Sequence, residues 1–225
     1  AFTLRTGVRF EDVSVEGADF TSFMTGQPIT GADLEYSEAL VNFGGVYQLT
    51  DQLSIFGGYS EGFIVSDIGR IIRFIDFDFA TGQPTDETDV GVLNPEAQVI
   101  ENYEIGIRGN HDNLTWSLAG FLSESELGTT LDPVTLEVTR APEEVWGYEI
   151  VLDYTISENL GFGGTYSYVK GRADFDDDGD FETFLPAARI SPPKLTAYVD
   201  WDFLPGWTGR LQALYSESED FFGNV

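Results

Sequence analysis

Apolar residues recur at every second position along most of this chain, and that period limits its fold more than any other feature. A period of two puts alternate side chains on opposite faces of an extended strand. In Phe2–Phe10, the set Phe2, Leu4, Val8 and Phe10 alternates with Thr3, Arg5, Gly7 and Arg9. In Ala39–Leu49, Ala39, Val41, Phe43, Tyr47 and Leu49 face one way, and Leu40, Asn42, Gly44 and Gln48 the other. The pattern returns in Leu53–Tyr59, Asn102–Arg108, Leu114–Leu122, Trp146–Tyr154, Leu160–Tyr168, Leu195–Phe203 and Leu211–Tyr215. This predicts about nine strands and no amphipathic helix. The chain is all-β.

The connections alternate in length. Thr50-Asp51-Gln52, Asn110-His111-Asp112-Asn113, Ser157-Glu158-Asn159 and Leu204-Pro205-Gly206 have the composition of tight hairpin turns. Between them run the long segments Val15–Glu38, Gly62–Gln98, Ser123–Glu144 and Lys170–Arg189. Short and long in strict alternation is the pattern of an antiparallel up-and-down transmembrane β-barrel, with short turns on one side of the membrane and long loops on the other. The faces agree. One is aliphatic and aromatic; the other carries Arg5, Arg9, Glu104, Arg108, Glu149, Asp153, Asp200 and Arg210, charges that belong in a wet lumen. Tyr59, Tyr103, Trp116, Trp146, Tyr154, Trp201, Trp207 and Tyr215 are expected at the membrane interfaces. A soluble sandwich also alternates, but it has no reason to put every long loop at one end. An odd strand number leaves an open edge in lipid, so the segment is expected to be part of a larger barrel.

Composition removes other classes. Eleven basic residues against 39 acidic ones give a formal charge of −28, which repels nucleic acid. The absence of cysteine removes disulfides, thiol nucleophiles and Cys-based zinc sites. No apolar run reaches the roughly 18 residues of a spanning helix. Hydrophobic residues at 42% and aromatic ones at 14% are too many for an acidic disordered chain. His111, the only histidine, cannot assemble a Ser–His triad or a His-based metal site. Gly161-Phe162-Gly163-Gly164 lies within a strand and is no phosphate loop. No enzyme activity is expected.

Several motifs carry a resemblance. Leu53–Phe63, closing on Tyr59-Ser60-Glu61-Gly62-Phe63, resembles a barrel strand of TonB-dependent outer-membrane receptors. Leu93-Asn94-Pro95-Glu96 followed by Glu101-Asn102-Tyr103-Glu104-Ile105-Gly106 is similar to that family's downstream signature. Trp146-Gly147-Tyr148-Glu149-Ile150 and Ser191-Pro192-Pro193-Lys194-Leu195 resemble two later strands, in the family's order. The resemblance implies a sector of a barrel of about 22 strands, with residues 1–225 as partial barrel domain and the plug domain and C-terminal strands absent. It also implies an outer-membrane location in a Gram-negative bacterium and active uptake of a scarce nutrient, foremost a ferric siderophore. The partners it implies are the TonB complex acting through the plug, outer-membrane lipid or lipopolysaccharide, and a small metal chelate. A passive porin and a soluble acidic β-sandwich used as a binding module or adhesin are the alternatives.

Two segments carry candidate sites. Arg70, Arg73, Phe74 and Phe77 could offer a cationic, aromatic surface to an anionic chelate, since guanidinium forks suit carboxylates. The same alternation would equally suit a hairpin that extends the wall. In Asp174–Glu182, the residues Asp174, Asp176, Asp178, Asp180 and Glu182 stand at alternate positions around Gly179, the way a Ca²⁺ loop gathers oxygens. Position 185 is Leu where a twelve-residue EF-hand loop requires Glu, so the segment is no EF-hand. The other reading is a solvated acidic loop tip. No further cofactor is expected.

Overall fold

Each of the nine alternating segments forms a long strand, because in every one an apolar face can be presented without breaking the backbone ladder. The computed structural model describes residues 1–23, 25–65, 77–78, 83–84, 89, 97–131, 138–175, 178–186 and 189–218, and structural statements concern those residues. In chain order the strands are β1 (Phe2–Glu16), β2 (Phe20–Thr21), β3 (Pro28–Ile29), β4 (Asp33–Thr50), β5 (Leu53–Ile64), β6 (Phe77–Asp78) and β7 (Gln83–Pro84). They continue as β8 (Gln98–His111), β9 (Leu114–Leu131), β10 (Val138–Ser157), β11 (Leu160–Ala173), β12 (Thr183–Phe184), β13 (Lys194–Leu204) and β14 (Trp207–Ser216). The long strands make one antiparallel sheet in the order β1-β4-β5-β8-β9-β10-β11-β13-β14, with β12 beside β11. Neighbours in sequence are neighbours in space, as in an up-and-down barrel. The sheet is open, with β1 and β14 as its edges.

The turns are tighter than their composition suggests. Pairing runs to Thr50↔Leu53, His111↔Leu114, Ser157↔Leu160 and Leu204↔Trp207, which leaves two residues in each loop. Pro205 fixes its own φ, and Gly206 at φ +80° takes the left-handed position that a type II turn requires. Asp112 occupies the left-handed region with a side chain, at φ 49°. The long connections are shorter than expected. β9 and β10 stay paired out to Leu131↔Val138, so much of the expected Ser123–Glu144 connection is strand. Above the membrane both faces meet water and no apolar alternation is required, although the ladder continues.

Register aligns the apolar sets into continuous rows. Phe2, Tyr47, Ile55, Ile107, Leu118, Ile150, Tyr166, Leu195 and Tyr215 are successive cross-strand partners over the whole sheet. Toward the long connections this face bears a belt of Tyr59, Tyr103, Tyr148 and Tyr168, with ring centroids 5.1 Å apart for Tyr59–Tyr103 and 5.4 Å for Tyr148–Tyr168. Toward the turns it bears Tyr154, Phe162 and Trp201, with Tyr154 and Phe162 5.5 Å apart. Between the two belts the face carries no charged side chain among the described residues. It is also open to its surroundings: Ile105 is 73% and Leu4 60% exposed. The opposite face is sheltered at Leu40, 2%, and Ser54, 5%, while its charged side chains Arg5, Glu104, Arg108, Glu149 and Arg210 are exposed. Among the described residues only Ile29, Leu34, Leu40, Ala141, Ala173, Leu185 and Ile190 are buried apolar residues. A soluble domain of this length would hide most of its apolar surface in one core. This sheet instead turns its apolar surface outward, as a wall in hydrocarbon does.

Candidate functional site: the lumen-facing wall

Every side chain expected on the wet face lies on the face opposite to the apolar rows. Arg5, Glu104, Arg108, Glu149, Asp153, Asp200 and Arg210 all sit at register positions opposite to the apolar rows. Small partners leave room for the long ones: Arg5 and Glu104 belong to a row whose intervening members are Gly44 and Gly58. Arg108 donates from Nε to Ser54 Oγ at 3.2 Å, and its guanidinium stands 5.6 Å from the Phe56 ring centre. Around it lies a cavity of about 370 Å³ that includes Gln48, Ser54, Arg108, Asn110, Thr115 and Ser117 in its lining. Near the turn end Arg210 grips Asp200 through two hydrogen bonds of 2.6 Å and lies 4.6 Å over the Tyr198 ring. The Tyr198 hydroxyl donates to Asp153. Nearer the mouth Ser123 Oγ donates to Asn102 Oδ1 at 2.7 Å, and Asn102 Nδ2 donates to the Ser60 carbonyl at 3.3 Å.

The inner wall thus combines guanidinium groups, carboxylates and neutral amide and hydroxyl groups. Arg5, Arg9, Arg108, Lys194 and Arg210 face inward in a chain that carries only 11 basic residues. Such a surface can bind an anionic, oxygen-rich solute by charge-assisted hydrogen bonds. A larger apolar groove of about 730 Å³, with Phe2, Tyr47, Ile55, Ile105, Leu118 and Tyr148 in its lining, lies on the outward face. That face meets hydrocarbon, so the groove is no solute site.

Of the residues expected to touch a ligand, Arg70, Arg73 and Phe74 lie outside the described residues. Phe77 opens β6, and its backbone pairs with Pro84. In the acidic segment Asp176 lies outside the described residues, while Asp174, Asp178, Asp180 and Glu182 are placed. Asp174 is 2% exposed, and its Oδ2 accepts the Gly179 N–H at 2.8 Å. Asp178 Oδ1 accepts the Asp180 N–H at 2.9 Å. Both carboxylates therefore serve the fold of their own loop, and no group of three or more acidic, histidine or cysteine side chains able to hold a metal occurs among the described residues. The ion pair of Glu143 and Arg189, 2.7 Å apart, is a feature that sequence reasoning missed. A separation of 46 residues leaves no local signal of it.

Comparison with known proteins agrees with this geometry. A family model described as "TonB dependent receptor-like, beta-barrel" matches residues 1–225. A rhizobactin receptor of Rhizobium meliloti (strain 1021) is 26% identical over 218 residues, covering 88% of this chain and 28% of that protein. A ferric aerobactin receptor of Klebsiella pneumoniae is 24% identical over 231 residues, covering 96% of this chain and 31% of that one. The chain therefore spans less than a third of the length of these relatives. Among solved structures, the copper transporter OprC superposes with a TM-score of 0.74 at 13% identity, over 99% of this chain and 34% of its own. The unliganded ferric citrate transporter FecA gives 0.62 at 22%, over 94% and 29%. These two likenesses concern the fold.

Proposed function

The chain belongs to the TonB-dependent receptor β-barrel family, and on that premise we propose that it forms a sector of the barrel wall of an outer-membrane receptor importing an anionic ferric siderophore. The observation that carries this reading is the division of charge across the sheet. Charged groups of both signs, among them Arg5, Arg108 and Arg210 beside Glu104, Glu149 and Asp200, lie on the inward face, and among the described residues the outward face is free of charge between its aromatic belts. Members of the family are transport receptors in the outer membrane of Gram-negative bacteria, and siderophore receptors stand among the chain's relatives. In this reading loops and inner wall receive the chelate, the lipid and lipopolysaccharide of the outer membrane surround the wall, and TonB acts on a plug in the remainder of the protein. The inward arginines suit a chelate that carries carboxylates.

The test is uptake of radiolabelled ferric aerobactin by cells that carry the intact protein as their only siderophore receptor. Uptake that depends on TonB and falls at least tenfold on Arg108→Met supports the reading. Uptake without TonB, together with a steady ionic conductance of the purified protein, would replace the receptor by a passive channel. Failure with aerobactin but success with a neutral chelate would remove the claim about charge.

A further inference from the structure

The connection between β11 and β13 has an exposed tip, with Phe175, Asp178, Asp180 and Glu182 open to solvent, but Leu185 and Ile190 anchor it to the sheet. Leu185 and Ile190 are 7% and 8% exposed and pack with Ala173, Val145 and Val169. Gly171 is their seat: a Cβ there would lie 2.7 Å from Leu185 Cδ1 and 3.1 Å from both Ile190 Cδ1 and Val145 Cγ2. Gly171 and Val145 are register partners on the face opposite to the apolar rows, so the connection folds inward.

Main-chain bonds hold the same segment. The Leu185 N–H donates to the Gly171 carbonyl at 2.9 Å and the Asp174 N–H to the Pro142 carbonyl at 3.0 Å, while β12 pairs with Arg172 and Ala173. Across it, Arg189 donates to Glu143, whose side chain is 6% exposed against 35% for the arginine.

We propose that this connection is a permanent part of the inner wall at the lumen mouth rather than a lid that moves with ligand, and that the Glu143–Arg189 pair is its fastener. To swing out, the strap must expose two apolar side chains and break a pair whose carboxylate is enclosed. With its arginine partly exposed the pair contributes modestly, and the exposure of Leu185 and Ile190 adds to the cost of opening. Together these favour the docked form. A chelate competing for Arg189 in the docked form would leave the Glu143 carboxylate, 6% exposed, without its guanidinium. The glycine at 171 fits the same docking, since a Cβ there would lie 2.7 Å from Leu185 Cδ1 and is accommodated only if that side chain is shortened.

The assignment of this face to the lumen rests on the receptor reading; the docking itself does not, and the test separates them. In the intact parent protein, Gly171→Cys is combined with Leu185→Cys, whose backbone hydrogen bond brings the two main chains within disulfide reach. These 225 residues contain no native cysteine. Oxidation is expected to close the bridge in most molecules without any ligand. Hydrogen exchange on the unmodified protein should show the Leu185 and Asp174 amides slowed at least a hundredfold relative to a free peptide, changing less than twofold when ferric aerobactin is added. Arg189→Gln should raise exchange at Leu185 at least tenfold. A bridge that stays open in a folded double variant, exchange at free-peptide rates, or a tenfold loss of protection on adding ferric aerobactin would each overturn the proposal. Exchange needs no variant, so misfolding of the cysteine pair leaves the test intact. The measurements without ligand can succeed while siderophore binding fails, or fail while it succeeds.

Discussion

Ile105 stands 73% exposed near the middle of β8, with Tyr103 and Ile107 beside it on the same face. In lipid that exposure is favourable, and a charge in its place costs about 2–4 kcal/mol near the bilayer midplane. Ile105→Arg is expected to destabilise the intact receptor in a membrane by that order, whereas Thr165→Arg, on the inward face, should change stability by less than about 1 kcal/mol. Reversible unfolding in lipid vesicles measures both. Asp112 offers a second single-residue test. Its φ of 49° is open to glycine and costs a β-branched residue about 1–2 kcal/mol. Asp112→Val should lower the unfolding midpoint, and Asp112→Gly should leave it nearly unchanged. Whether the acidic loop takes Ca²⁺ is decided by calorimetry on the intact protein. Heat at sub-millimolar calcium that vanishes in Asp178→Asn would assign a site, and silence at millimolar calcium would remove it.

At the scale of elements, the outward face changes character just beyond the upper belt. Glu61, Glu101, Glu124 and Glu144 are successive cross-strand partners on β5, β8, β9 and β10, and the row ends opposite Arg172. The neighbouring tyrosines relieve part of the repulsion: the Tyr59 hydroxyl donates to Glu61 at 2.7 Å and that of Tyr103 to Glu101 at 2.6 Å. Directly opposed like charges still destabilise by about 0.2–1 kcal/mol per pair. Glu124→Gln removes two such pairs and should raise the unfolding midpoint at low salt, with the gain shrinking as salt screens the row. The strands themselves were legible because a wall between oil and water forces the period of two on every residue it contains. Their extensions were not, since a ladder with water on both faces imposes no pattern. The strap was hidden for a related reason: Leu185 beside Phe184 and Ile190 just past the stretch read as loop follow no period, and their seat is a glycine.

At the scale of the whole molecule, the open nine-stranded order is a sector of a closed wall. Its edges, β1 and β14, would leave backbone groups unpaired in lipid if nothing joined them. The lumen-facing charges were legible from alternation alone, because Arg5, Glu104, Arg108 and Arg210 interrupt an apolar rhythm at positions of fixed parity. Residues of a ligand site in the loops carry no such parity, and Arg70, Arg73 and Phe74 stay a matter for ligand-binding experiments. The account depends above all on the apolar face meeting lipid and the charged face meeting water. Spin labels placed singly from Asn102 to Arg108 in the membrane-embedded parent protein test that directly. Collision rates with dissolved oxygen should peak at Tyr103, Ile105 and Ile107, and rates with a water-soluble nickel chelate at alternate positions or nowhere. Ready access of the nickel chelate to Tyr103, Ile105 and Ile107 would contradict the account and make this sheet a surface in water.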